Sequence, residues 1–171
     1  MMRALLLVAL AWSNAAAQPG VEEPPPRRTP FDQGRFGLSA GAGSTTAFGE
    51  RYFAIGAGAG YYVLDGVETG LSTQVQWGDG PTITRLTPSL RYVVQPLVGK
   101  FPLIPYAGVF YSHWFVGGGV ADVDAIGTRG GLLYVSGSLI LGLGVAYEHV
   151  VSECTGDCDA IYPDITVAVS F

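Results

Sequence analysis

Few side chains in this sequence could do acid–base or nucleophilic chemistry. They are Ser112 with His113, Glu148 with His149, and the cysteines Cys154 and Cys158. A serine nucleophile needs a base within hydrogen-bond reach, and the base needs a third group to orient it. Both histidines lie in stretches of alternating polarity, where neighbours in sequence point to opposite faces of a strand. Neither Ser112 with His113 nor Glu148 with His149 can then form a contact within the pair. A His113–Glu148 couple across an enclosed interior would have no serine well placed beside it. No catalytic residue, no cofactor and no enzymatic activity are expected.

Cys154 and Cys158 bracket Thr-Gly-Asp near the end of the chain. In an exported protein such a pair reads as a disulfide rather than a metal site. Its loop is short, so its entropic benefit is modest and its effect is to pin a loop tip. Asp157 and Asp159 could join the two thiols around zinc, but the loop holds no histidine. Asp122-Val-Asp124 lacks the ligand positions that would complete a calcium loop. No metal site is expected.

The beginning of the chain assigns the compartment. Met1-Met2-Arg3 is a short basic start, Ala4 to Trp12 is an unbroken apolar run, and Ala15-Ala16-Ala17 offers a cleavage site. This is the three-part pattern of a secretory signal peptide over residues 1–17. The apolar run falls short of the roughly 20 residues that a spanning helix needs. Residues 18–32 are rich in proline and nearly devoid of apolar side chains. They read as a disordered, partly polyproline II, periplasmic tether.

Residues 33–171 combine a high apolar content with 25 glycines and few charges, 13% of the chain. The mean hydropathy is +0.34, yet past the signal no segment is long and apolar enough to cross a bilayer as a helix. Apolar residues spread at every second position reconcile these facts, and that is the pattern of a transmembrane barrel. Eight such segments can be drawn: 35–43, 51–63, 68–77, 83–93, 104–116, 128–135, 139–150 and 162–171. Asp65-Gly66, Gly78-Asp79-Gly80-Pro81 and Ser136-Gly137-Ser138 supply turns between them. The last segment is the cleanest, with Ile165, Val167, Val169 and Phe171 on one face and Asp164, Thr166 and Ser170 on the other. In the fifth, Tyr106, Gly108, Phe110, Ser112 and Trp114 are expected to face outward. Pro88, which removes a ladder donor, is expected to mark a bulge.

The fold class expected is therefore all-β, an eight-stranded antiparallel up-and-down transmembrane barrel. With both chain ends on the periplasmic side, the aromatics fall into two belts. Phe36, Tyr61, Tyr92, Tyr106, Tyr134 and Phe171 gather at the inner ends of the segments. Phe53, Trp77, Trp114 and Tyr147 gather at the outer ends. Bilayer interfaces select for such girdles. By parity Arg35, Glu68, Arg85, Arg91, Arg129, Glu148 and Asp164 point inward, with Gln74 and Gln76. Buried charges must be paired or hydrated, so these side chains form either a salt-bridge network filling the lumen or a narrow charged path. Glu50, Asp79, Asp122, Asp124, Glu153, Asp157 and Asp159 fall on the exterior side and Lys100 on the other. An acidic rim could hold divalent cations beside lipopolysaccharide phosphates; plain solvating surface is the preferred reading.

Together, the signal peptide, the eight segments, Pro105-Tyr106-Ala107-Gly108 opening a strand and the Tyr162 to Phe171 terminus resemble the small outer-membrane β-barrels of Gram-negative bacteria, of the OmpA, OmpX and OmpW kind. The resemblance covers residues 33–171 and is architectural. It implies a monomeric barrel in the cell outer membrane, in contact with outer-membrane lipid and lipopolysaccharide. It also implies insertion by the barrel-assembly machinery, which reads a terminal strand ending in an aromatic, here Phe171. The OmpA kind carries a peptidoglycan-binding domain after its barrel, for which this sequence has no counterpart segment. Some barrels of this size modify lipid A, a role for which the residues above do not assemble a site. The OmpW kind suggests the alternative of a narrow channel for small polar or hydrophobic solutes. No nucleic-acid partner is expected.

Overall fold

The computed structural model describes residues 28–47, 50–152 and 158–171, the side chains of 45–47 excepted. The expected signal peptide, most of the expected tether, and Glu153, Cys154 and Asp157 lie outside these residues. Eight strands follow one another: β1 (Phe36–Ala47), β2 (Glu50–Leu64), β3 (Val67–Gly78), β4 (Ile83–Val93), β5 (Leu103–Val116), β6 (Val123–Ser136), β7 (Leu139–Val150) and β8 (Asp159–Ser170). Each pairs with its neighbours in sequence, and β1 pairs antiparallel with β8, which closes an up-and-down barrel. Closure joins the two edge strands over Gly37 to Ala40 and Val167 to Ser170, and pairing of edges is the condition that hydrocarbon imposes on a spanning sheet.

The period-2 pattern sorts side chains to two faces. Leu38, Ile55, Leu71, Leu90, Leu143 and Ile165 stand exposed on the outside, while Gly144, Ser112, Thr87, Glu68, Arg85 and Glu148 turn inward. Water-soluble domains rarely leave apolar patches larger than a few hundred Å² uncovered. Here the apolar surface runs around the whole girth, as a lipid-facing barrel requires.

Tight turns set the hairpins where glycine alone fits the backbone. Gly66, between β2 and β3, has φ of 76°, and Gly137, between β6 and β7, has φ of 61°, a region that other residues rarely enter.

Strands β4 and β7 have the expected bounds; elsewhere the sequence expectations need correction. Strand β6 begins at Val123, not Thr128, because Val123 to Gly127 pair with Trp114 to Phe110 of β5. Pro88 causes no bulge. Its pairing with Leu71 is in register, and the loss appears as an interrupted ladder to β5 between Leu86↔His113 and Ser89↔Phe110. The register shift lies instead between Tyr62 and Leu64.

The facing of β5 is the reverse of the expected one. Tyr106, Phe110 and Ser112 are buried in the lumen and Trp114 packs there too, whereas Val109, Tyr111 and Phe115 face outward. Tyr106 and Trp114 are therefore not girdle residues. Phe36, Tyr61, Tyr92, Tyr134 and Phe171 are exposed near one rim, and Phe53, Trp77 and Tyr147 near the other. Phe115 joins the second set, and Phe53 and Trp77 meet edge to face at 5.0 Å.

Candidate functional site in the lumen

The inward charges form two ion pairs of different origin. Glu68 and Arg91 sit directly opposite each other on β3 and β4. Arg91 Nε donates to Glu68 Oε2 at 2.6 Å, and its guanidinium also reaches the Tyr62 hydroxyl. Arg85 and Glu148 belong to β4 and β7, so only closure of the barrel brings them into their ion pair. That pair is well furnished. Arg85 Nη2 donates to Ser112 Oγ at 3.1 Å, Ser112 and Thr87 share a hydrogen bond of 2.9 Å, and the Tyr162 hydroxyl donates to Glu148 Oε2 at 3.0 Å. The Arg85 guanidinium lies 4.5 Å from the centre of the Trp114 ring, a favourable placement for a desolvated cation.

Two further charges remain apart. Arg129 lies over the Phe110 ring and makes no ion pair among the described residues; its Nε is buried without a hydrogen-bond partner. Asp164 accepts a hydrogen bond of 2.7 Å from the Tyr106 hydroxyl. Arg35 precedes β1, at the periplasmic mouth, where its charge acts on Asp32.

Apolar side chains cross the lumen above and below this polar band. At the periplasmic end, Phe31 is 0% exposed and packs with Tyr62, Val93, Ile104, Leu133 and Ile140. Residues 28–32 are thus not part of an extended tether: the chain turns back across the mouth. Gly66 N–H donates to the Phe31 carbonyl at 2.8 Å, and Ser170 Oγ to the Pro30 carbonyl at 3.0 Å. Gln33 N–H donates to Asp65 Oδ1 at 2.8 Å, and Gln95 Nε2 to Asp32 Oδ1 at 3.1 Å. At the exterior end Tyr52, Ile83 and Val116 form a second apolar cluster, backed by Trp114 and Val123.

Asp32 ties the periplasmic segment to pH. Partial burial acts to raise its pKa, but hydrogen bonds from Thr29 and Gln95 and the charge of Arg35 outweigh it and hold the carboxyl below its ordinary value. A depressed folded-state pKa contributes stability above the unfolded value of about 3.9, lost as pH falls through the folded value. Proteolysis of the segment around Phe31 should be unchanged from neutral pH to about pH 5 and should accelerate below about pH 4. Asp32→Asn should abolish that dependence.

The histidines sit outside the lumen in two matching clusters that the sequence reading missed. Tyr111 and His113 of β5 both bond Asp124, with His113 Nδ1 at 2.7 Å. Tyr147 and His149 of β7 both bond Asp159, at 2.5 and 2.8 Å. Each aspartate is the direct cross-strand partner of its histidine. The shared Tyr-x-His spacing was the available signal. His113 therefore does not meet Glu148, which is bound inside to Arg85 and Tyr162. Ser112 is wholly buried on Arg85 and Thr87, so no serine–histidine contact forms. Cys158 is disulfide-bonded.

No protein-family model matches the chain, and no curated protein sequence does. Solved structures do. The N-terminal β-barrel domain of Pseudomonas aeruginosa OprF superposes with a TM-score of 0.57 at 16% identity, covering 81% of this chain and 98% of that one. Neisserial surface protein A (NspA) superposes with a TM-score of 0.54 at 17% identity, covering 80% and 94%. The outer membrane protein OprG from Pseudomonas aeruginosa gives 0.51 at 16%, covering 82% and 97%. At such identities the likeness is one of fold. By architecture the chain is a small eight-stranded barrel of the outer-membrane type.

Proposed function

We propose that this protein is exported and resides in the outer membrane, where it serves as a structural or surface-interaction barrel rather than an open pore. The observation that carries this reading is the pair of apolar clusters at the two ends of the lumen. A polar band with two ion pairs lies between them, so a solute moving along the axis must pass apolar side chains at each end. Conduction needs a continuous wet path. Its partners on this reading are the surrounding lipid, lipopolysaccharide at the exterior rim, and the assembly machinery acting on the strand that ends at Phe171. It acts as a monomer. Non-enzymatic action follows from the separation of Ser112 from both histidines.

Planar-bilayer recording tests this reading. The intact protein should be silent at moderate voltage, and steady unitary conductance would overturn the closed-lumen assignment in favour of a narrow channel. Phe31→Ala should unseat the periplasmic segment. Truncating a fully buried phenylalanine costs about 3–5 kcal/mol, enough to populate the open mouth. Conductance should remain low even so, because the exterior cluster of Tyr52, Ile83 and Val116 persists. Combining Phe31→Ala with Tyr52→Ala should raise it.

A further inference from the structure

The eight seams of the barrel are not equal. Strands β1 and β8 are joined by four residue pairs, Gly37↔Ser170 to Ala40↔Val167, extended at the periplasmic end by backbone bonds between Phe36 and Phe171, whereas each of the other seams runs over nine or more. Continuing the same register would bring Gly41 opposite Thr166 and Ala42 opposite Ile165, but no such pair forms among the described residues. Toward the exterior, then, β1 and β8 face each other without a ladder. A side chain added at Gly41 or at Gly43 would meet nothing within 4 Å. In hydrocarbon an unpaired strand edge is costly, so a seam left open at this depth calls for something polar to occupy it.

Behind the gap lies a cavity of about 220 Å³. Both lips of the seam border it, Gly41 on one side and Thr166 on the other, and it extends inward to Arg85, Arg129, Tyr162 and Asp164. Arg85 is neutralised by Glu148. Arg129 and Asp164 are the two charges of the strand-lined lumen that have no ion-pair partner among the described residues, and they carry opposite signs. The Nε atoms of Arg85 and Arg129 are both buried without a hydrogen-bond partner, which is costly, and Arg129 has no counter-charge among the described residues to offset it. The chamber thus offers a cation and an anion without ion-pair partners among the described residues, a surround of hydroxyls, and a wall that lacks a ladder at the seam.

We propose that the β1–β8 seam is a lateral port through which the headgroup of a zwitterionic phospholipid enters the barrel. The phosphodiester meets Arg129 and the ammonium meets Asp164. The acyl chains stay outside against Ala42, Ile165 and Val167, which are exposed on the lips. Recognition needs both parts of the amphiphile, because the port faces lipid while apolar side chains stand at both axial mouths. The proposal rests on the barrel being embedded in a bilayer and adds to that reading a specific lipid at a specific seam.

The test uses the full-length barrel refolded in a phospholipid-free detergent and titrated with short-chain phosphatidylethanolamine, read by native mass spectrometry. Parallel arms use glycerophosphoethanolamine, which has the headgroup without chains, and diacylglycerol, which has chains without the headgroup. One lipid per barrel should bind from phosphatidylethanolamine alone. Arg129→Gln and Asp164→Asn should each weaken it about tenfold or more, as loss of a charge-assisted hydrogen bond predicts. Gly41→Trp, which fills the open space at the lip, should abolish it. Heat-modifiable gel mobility reports the folded barrel for each variant. Equal binding by all three variants would overturn the port, since the lipid would then be an annular one. Tight binding of the chainless headgroup to Gly41→Trp would overturn lateral entry. Failure of the parent protein to show heat-modifiable mobility would instead contradict the membrane-barrel reading itself.

Discussion

Glu148→Ala should destabilise the folded barrel by about 3–5 kcal/mol, the range found when one partner of a buried ion pair is removed. Both members are largely withdrawn from solvent, with side-chain exposures of 12% for Arg85 and 3% for Glu148. The substitution leaves the Arg85 guanidinium facing Trp114 and Ser112 with no counter-charge. It also strips the Tyr162 hydroxyl of its acceptor. Urea unfolding from lipid vesicles, followed by loss of heat-modifiable mobility, measures the cost. The double change Arg85→Met with Glu148→Leu should recover most of it, because desolvating two charges costs nearly as much as their attraction returns. If the double variant were as unstable as the single one, the pair would be acting through more than its charges.

The second large effect is steric. Gly131 and Gly144 face each other across β6 and β7, and both stand on the lumen side. A Cβ at Gly144 would come within 2.6 Å of the Tyr106 hydroxyl and press on the backbone of Gly130 as well. Valine suits strands by propensity, so Gly144→Val should help if local preference governed. Packing governs instead. The new side chain must displace Tyr106 from Asp164 and push β6 from β7, a cost of ~3 kcal/mol or more given that backbone is involved. Little heat-modifiable species should appear on refolding. Gly41→Ala, placed against open space, serves as the control and should refold like the parent.

These effects depend on details that the sequence carried unevenly. All eight strands were legible, because one face of each must be apolar and the other small or polar. In β7 the alternation of Leu139, Leu141, Leu143 and Val145 with glycines admits one reading only. Strand β5 was read with the wrong facing because large apolar groups stand on both of its sides. Tyr106, Phe110 and Trp114 fill the lumen, while Val109, Tyr111 and Phe115 face out. A rule that assigns aromatics to the outside fails where the barrel interior needs seals. Gly108 and Ser112 carried the correcting signal, since small and polar residues share the lumen face on the other strands. The long connection from Val94 to Pro102 does not transmit facing from β4 to β5.

The lumen network was half legible. Strand parity turns Glu68, Arg85, Arg91, Arg129, Glu148 and Asp164 inward, but it cannot say which charges meet. Glu68 with Arg91 follows from a single hairpin. Arg85 with Glu148 requires knowledge of closure, and the isolation of Arg129 from Asp164 is visible only in three dimensions. Phe31 was hidden for a different reason. It stands alone in a proline-rich, polar stretch with no periodicity, and its burial arises from the mouth it covers. The short β1–β8 seam is likewise a property of closure, unmarked in either strand.

One measurement bears on the central claim that lipid bathes the outer face of the barrel wall, at Trp77, and that Trp114 lies behind that wall. Trp77 and Trp114 stand on opposite sides of the barrel wall at the same rim. With Trp12 replaced and each of the other two retained alone, fluorescence is recorded in vesicles of lipid brominated near the headgroup. Emission from Trp77 should be strongly quenched and emission from Trp114 largely spared. Equal accessibility of both residues to an aqueous quencher, with neither touched by brominated lipid, would contradict the account.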